Sequence, residues 1–137
     1  HLDAAFEDPR ERLIEVVRYF DRVKEEHARS GCPIYRMVVD GGESDKDQVP
    51  QAAARIYGGF VDWAERQFRA LGQEENARAY AVSLLAGIQG GTVLSRTLGD
   101  PSHLGRELER LTAWLTQIPN KKVFLGKAGP RRVAESA

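Results

Sequence analysis

The sequence predicts an all-α domain, a helical bundle of about five main helices. Apolar residues recur at intervals of three and four over long segments, which is the period of an amphipathic helix. Glycines and prolines separate these segments, and no segment has the period-two alternation of a strand. The 137 residues allow one domain, and a hydrophobic content of 42% is enough for a core.

The first long helix begins at Asp8-Pro9, where a capping carboxylate precedes a first-turn proline. Its helical pattern ends at Gly31. A short second helix follows Pro33, and the stretch from Asp40 to Asp45 predicts a loop.

The third helix begins near residues 47–50, and Gly72 is the expected stop. The fourth runs from about Glu74 to Leu98, with Gly99 as its C-cap. The fifth begins at Asp100-Pro101 in the same manner as the first, and Pro119 ends it. We therefore expect a helical domain over 1–118 and a basic, flexible C-terminal tail over 119–137.

The composition excludes several functional classes. The 20 Lys and Arg residues balance 20 Asp and Glu residues, which argues against a dedicated DNA-binding surface. No apolar run approaches the roughly 20 residues that span a bilayer, and no signal peptide opens the chain, so we expect a cytoplasmic protein without a membrane partner. Cys32, the only cysteine, excludes an internal disulfide.

The sequence contains no residue pattern that indicates a catalytic or metal site. The three histidines have neither zinc-ligand spacing nor the glutamate three residues earlier that di-iron bundles require. The acidic residues of the 40–47 stretch miss the positions of a calcium loop. We therefore predict no catalytic residue, no metal site and no cofactor.

The fourth and fifth helices predict a homodimer. A glycine inside a helix costs about 1 kcal/mol relative to alanine, so a cluster of them indicates that another helix passes closely. The leucines of the fifth helix alternate by four and three, as in helices that pack lengthwise. We expect these helices from two chains to form a four-helix bundle; the alternative is that the fourth helix is the centre of a monomeric bundle. The expected interface comprises Ser83, Gly87, Gly90, Gly91, Leu94, Leu104, Leu108, Leu111 and Leu115.

The first three helices carry more bulky side chains than a simple core requires. Tyrosine and tryptophan bring a polar tip to an apolar wall, as small-molecule pockets often do. As a group these residues predict a ligand cavity, although each one also suits an ordinary core. The candidate ligand-binding residues are Val16, Phe20, Tyr35, Met37, Tyr57, Phe60, Trp63 and Gln89.

Five motifs in this order resemble the C-terminal domain of TetR-family transcriptional regulators, over roughly residues 8–118. They are the Asp8-Pro9 start, Ser30-Gly31-Cys32-Pro33, the pair Phe60 and Trp63, the segment Leu84-Leu85-Ala86-Gly87-Ile88-Gln89-Gly90-Gly91, and Gly99-Asp100-Pro101. The chain is most similar to the subgroup with a Gly-Cys-Pro turn after the long connecting helix.

The resemblance implies a regulatory domain that dimerises through its last two helices and holds a small, hydrophobic or amphipathic effector among the earlier ones. In such a repressor the effector shifts the connecting helix, here residues 9–29, and this shift moves the DNA-reading heads. Only His1 to Glu7 precede Asp8, so we expect DNA to be bound only through a head that this chain lacks. The alternatives are a dimeric assembly module without a ligand and, with less support, a helical enzyme or carrier.

Overall fold

The computed structural model describes residues 2–40 and 48–121, and all regular structure within these ranges is helical. This confirms the predicted all-α bundle, because the five predicted helices are all present and one additional turn precedes them. The helices are α1 (Leu2–Ala5), α2 (Pro9–Ser30), α3 (Pro33–Asp40), α4 (Gln48–Ala70), α5 (Ala77–Leu98) and α6 (Ser102–Gln117).

The helix ends follow from local sequence. Asp8 Oδ1 accepts a hydrogen bond from the Arg10 backbone N–H at 2.8 Å, and Asp100 Oδ1 accepts one from the Ser102 N–H at 2.8 Å. Both Asp-Pro pairs therefore satisfy free donors at a helix start, as predicted. The three predicted stops, Gly31, Gly72 and Gly99, all have a positive φ, between 67° and 77°. Glycine adopts this conformation more readily than residues with a Cβ do.

Helix α5 is the centre of the protomer, because it packs against α2, α4 and α6. Its Leu84 and Ile88 are fully buried in one core together with Leu13 of α2 and Phe68 of α4. The core also contains the four leucines of α6, whose exposed fractions are 0–2%. The short helix α3 packs on α4 at the edge of this core.

Arg10 joins the start of α2 to the end of α6. Its guanidinium donates to the backbone carbonyls of Leu115, Thr116 and Ile118, the last two at 3.1 Å and 2.5 Å. Carbonyl groups at a helix C-terminus have no partner inside the helix, so one charged side chain satisfies three acceptors here. The N-terminal end of α2 is thereby anchored to α6.

The chain beyond α6 continues along the end of α4. The carbonyl of Pro119 accepts a hydrogen bond from Gln73 Nε2 at 2.5 Å, and the N–H of Lys121 donates to the carbonyl of Leu71 at 3.1 Å. The rest of the predicted tail, 122–137, lies outside the described residues, as does most of the predicted loop, 41–47. The predicted boundary at 118 stays a prediction.

Among the helices that the structure describes, none combines the length and the apolar character needed to cross a bilayer.

Candidate functional site

A cavity of about 260 Å³ lies between the C-terminal half of α2, the Cys32-Pro33 turn and the facing sides of α4 and α5. Side chains half-exposed at its rim are Tyr19 and Ile56, at 51% and 46%. Among the described residues that line it there is no Asp, Glu, Lys or Arg. The lining residues are Tyr19, Phe20, His27, Cys32, Pro33, Ile34, Ile56, Tyr57, Phe60, Leu85 and Gln89.

Three polar side chains of the wall form one hydrogen-bonded chain. The Tyr57 hydroxyl donates to Gln89 Oε1 at 3.3 Å, and Cys32 Sγ lies 3.6 Å from the same hydroxyl oxygen. Either the thiol or the hydroxyl can donate in the second contact. Gln89 Nε2 has no hydrogen-bond partner in the described part of the chain, so an amide donor is available at the cavity wall.

This environment keeps the Tyr57 phenol neutral. Burial raises the pKa of Tyr57 well above its ordinary value, and the contact with Cys32 raises this pKa further. His27 completes the polar groups of the wall: its Nδ1 donates to the Val23 carbonyl at 3.2 Å, and its ring meets Phe20 edge-on at 5.6 Å. The cavity is therefore apolar, with a few fixed hydrogen-bonding groups.

The structure brings four of the eight candidate ligand residues together around this cavity: Phe20, Tyr57, Phe60 and Gln89. Val16 lies one turn before Phe20 and is buried in the main core. Trp63 lies behind the wall, with its ring 6.0 Å from that of Phe60 and its Nε1 donating to Asp3 at 3.0 Å.

The remaining two candidates lie on α3 and point elsewhere. Tyr35 and Met37 are 48% and 43% exposed and border other surface grooves. Consecutive residues of a helix point about 100° apart, so α3 cannot direct Ile34 into the cavity and Tyr35 there as well.

Seven lining residues were absent from the sequence-based set, and helical spacing gives a signal for three of them. Ile56 lies one turn before Phe60, Leu85 lies one turn before Gln89, and His27 lies two turns after Phe20. Residues at these intervals share a face. Cys32 and Pro33 follow no period, because Cys32 lies between α2 and α3 and Pro33 is the first residue of α3.

The residues of the expected dimer interface divide into two groups. Ser83, Gly90 and Leu94 are exposed on α5. Gly87 and Gly91 instead face α6 of the same chain, where a Cβ built on Gly91 would lie 3.1 Å from the Cα of Leu104. The four leucines of α6 are buried within the same chain, so almost none of their surface is accessible to a second chain. They are Leu104, Leu108, Leu111 and Leu115.

Comparison with known proteins gives one match. The family described as "Transcriptional regulator LmrA/YxaF-like, C-terminal domain" matches residues 9–107, which include every residue that lines the cavity. No curated protein and no solved structure gave a significant match to the chain.

Proposed function

Because the chain belongs to the LmrA/YxaF-like C-terminal domain family of TetR transcriptional regulators, we propose that it is the effector-sensing and dimerisation domain of such a regulator. Domains of this family are regulatory rather than catalytic. The effector is a small, uncharged and largely hydrophobic molecule, and the regulator is a repressor that the effector releases from DNA. The observation that carries the proposal is the cavity between α2, α4 and α5.

The chemistry of the wall supports an uncharged effector. A buried charge without a partner is costly, and the described lining offers neither a carboxylate nor a guanidinium or ammonium group to pair with one. Phe20, Tyr57 and Phe60 provide aromatic surface, and Gln89 Nε2 offers one hydrogen-bond donor. A compact aromatic molecule with a single acceptor satisfies this set. The volume of about 260 Å³ is near the lower limit for ligand pockets.

The position of the cavity supports a route by which binding acts on the connecting helix. Phe20 and His27 of α2 line the cavity, whereas the other end of α2 is anchored to α6 through Arg10. A ligand that enlarges the cavity therefore displaces the C-terminal half of α2 while Arg10 holds its N-terminal end, so the helix pivots. A ligand shifts such an equilibrium only as far as it prefers one of the two positions.

The exposed face of α5 supports dimerisation. Val82, Val93, Leu94 and Leu98 are 42–61% exposed, although α5 is otherwise the central helix of the protomer. Gly90 lies on the same side, and a Cβ built there would meet nothing within 4 Å. An apolar stripe with a small residue in its middle suits close packing of a second copy of α5. Ser83, Gly90 and Leu94 are the members of the expected interface that are available for it.

Binding is tested by the fluorescence of Trp63, since its ring packs on Phe60 of the cavity wall. A Trp114→Phe background removes the other tryptophan of the chain. A panel of uncharged compounds with one or two aromatic rings is titrated beside carboxylated analogues of the same compounds. We expect saturable changes with members of the uncharged set and none with the carboxylated set.

A matched pair of variants locates the binding. Ile56 and Val38 are aliphatic residues of similar exposure, at 46% and 43%, but only Ile56 lines the cavity. Ile56→Trp should block the cavity and abolish binding, whereas Val38→Trp should leave binding unchanged. Thermal unfolding with and without compound measures binding in these two variants, because a ligand that binds the folded state raises the stability of the protein.

The assembly module without a ligand is the alternative function. Two results together would favour the assembly module over the effector-sensing domain. The protein would sediment as a dimer with twice the chain mass of 15.3 kDa. It would also show no response to any compound, or an equal response in both variants.

A further inference from the structure

A second concave surface lies on the other side of the Cys32 turn and is basic. We call it the arginine groove. It has a volume of about 610 Å³ and is formed by the end of α2, the start of α3 and the last turns of α5. Its lining residues are Arg29, Ser30, Gly31, Cys32, Tyr35, Arg36, Thr92, Val93, Arg96 and Thr97.

The turn at Gly31 brings two of the arginines together. Gly31 has a φ of +74°, and the position that its Cβ would occupy lies 4.0 Å from Cγ of Arg36 and 4.0 Å from Cγ of Arg96. These two side chains, one from α3 and one from α5, therefore lie close to the same point. Arg29, two residues earlier at the end of α2, adds a third guanidinium to the groove.

Two of the three arginines in the groove have no acidic partner within the described part of the chain. Arg29 and Arg96 have no ion pair or side-chain hydrogen bond there, and no Asp or Glu lines the groove. Elsewhere on the surface some arginines are paired, such as Arg69 with Glu65 at 2.8 Å and Arg78 with Asp62 at 2.5 Å, whereas the exposed Arg66 also has no ion pair in the described part of the chain. What distinguishes Arg29 and Arg96 is that both border one groove. Arg36 has an interaction of its own, so the unpaired charges of the groove are those of Arg29 and Arg96.

The position of the arginines at helix ends accounts for only part of this arrangement. Arg29 and Arg96 each lie in the last turn of a helix, where a cation stabilises the helix dipole. That effect requires one cation at each helix end and no concave surface. It does not require that both side chains border one groove together with the hydroxyls of Ser30, Thr92 and Thr97.

We propose that the arginine groove binds the phosphate group of a small organic phosphate, with Arg29 and Arg96 as its charged contacts. A phosphate monoester carries nearly two negative charges near neutral pH, which matches two guanidinium groups, and the planar guanidinium donates two parallel hydrogen bonds to such an anion. Hydroxyls of Ser30 and Thr97 supply further donors.

The shape of the groove favours a small molecule over the DNA backbone. A volume of about 610 Å³ lies within the usual range for ligand pockets and leaves space beyond a phosphate group for an organic part against Tyr35. The net charge of zero is unlike that of a DNA-binding surface. This site is separate from the effector cavity, and the proposal does not depend on the function proposed above.

Calorimetric titration at constant ionic strength tests the proposal with phenyl phosphate, inorganic phosphate and phenol as probes. We expect phenyl phosphate and inorganic phosphate to bind, with phenyl phosphate the tighter. Phenol lacks the phosphate group, so any heat that it produces should be the same in the wild type and in the arginine variants. Arg29→Gln and Arg96→Gln should each weaken phenyl phosphate by roughly tenfold to a hundredfold, the usual effect of losing a charged hydrogen bond. Arg66→Gln, which removes an exposed charge on α4 outside the groove, is the matched control.

Three results would overturn the proposal. They are the absence of phosphate binding at millimolar concentration, equal losses in Arg66→Gln and the two groove variants, and binding of a short DNA duplex that is tighter than that of phenyl phosphate and equally sensitive to Arg29→Gln. Far-UV circular dichroism checks that each variant is folded. Ile56→Trp should bind phenyl phosphate normally, which separates failure of this site from failure of the effector cavity.

Discussion

Adjacent glycines on α5 should respond to the same substitution with opposite signs. Gly90 and Gly91 both lie inside the helix, so replacing either one by alanine gains the same helix propensity, about 0.8–1.0 kcal/mol. A Cβ on Gly90 meets no atom within 4 Å. A Cβ on Gly91 meets Leu104 of α6, at 3.0 Å from Cδ1 and 3.1 Å from the backbone Cα.

The magnitude follows from that contact. The Leu104 side chain can rotate away, but its Cα moves only if α6 moves, and overpacking of this kind costs about 1–3 kcal/mol. In the monomer, where no second α5 lies against this face, Gly90→Ala should therefore stabilise the protein by about 0.8–1.0 kcal/mol, since only the propensity gain applies. Gly91→Ala should be less stable than Gly90→Ala by the full overpacking cost, about 1–3 kcal/mol, because the propensity term is common to both.

Gly87 provides an intermediate case. A Cβ there meets Glu107 Oε1 at 2.5 Å and the Leu111 methyl carbons at 3.3 Å, all of them at the ends of side chains. These atoms adjust more easily than a backbone atom. Gly87→Ala should therefore have a stability between those of the other two variants.

Urea unfolding followed by circular dichroism measures the three variants and the wild type. Protein concentration is held constant and the dimer fraction is measured in parallel, because the stability of a dimer depends on concentration. If Gly91→Ala proved as stable as Gly90→Ala, the close contact between α5 and α6 within one chain would be refuted.

Three further predictions concern single hydrogen-bonding groups. Arg10→Met should lower the free energy of unfolding by about 1.5–3 kcal/mol, because the α6 carbonyls lose a charged donor; an unchanged urea midpoint would contradict this. Ser95→Ala should cost about 1–3 kcal/mol, because the buried Leu104 N–H loses its acceptor at 2.9 Å, while the exposed Ser83→Ala should change little; equal effects would refute the role of Ser95. The pKa of Tyr57 is higher in the folded state than in the unfolded chain. The contribution of Tyr57 to the free energy of unfolding is therefore complete below about pH 10 and declines above it, because the unfolded chain loses the phenol proton first. Tyr57→Phe should therefore show a smaller loss of stability between neutral and alkaline pH than the wild type, and an identical pH profile would exclude this assignment.

Local features of the fold could be predicted from the sequence because they depend on neighbouring residues. The Asp8-Pro9 and Asp100-Pro101 starts and the glycine stops are decided within one helical turn. The close approach at Gly91 was likewise predictable from the cost of glycine in a helix. Which helix approaches was not predictable, because the same small face suits α6 of the same chain or a helix of another.

The composition of the cavity could be predicted only in part. The contact between Tyr57 and Gln89 joins two helices over 32 positions of sequence, and no local pattern encodes it. The rotation of α3 decides that Ile34, and not Tyr35, faces the cavity. Periodicity shows which residues share a face of one helix, but it does not show which faces of different helices meet.

The electron density of crystals of the protein grown with the tightest uncharged compound tests the central claim most directly. We expect density for the compound between α2, α4 and α5, in contact with Phe20, Tyr57 and Phe60 and hydrogen-bonded to Gln89. A cavity filled by protein side chains, or the compound bound elsewhere with this cavity empty, would contradict it.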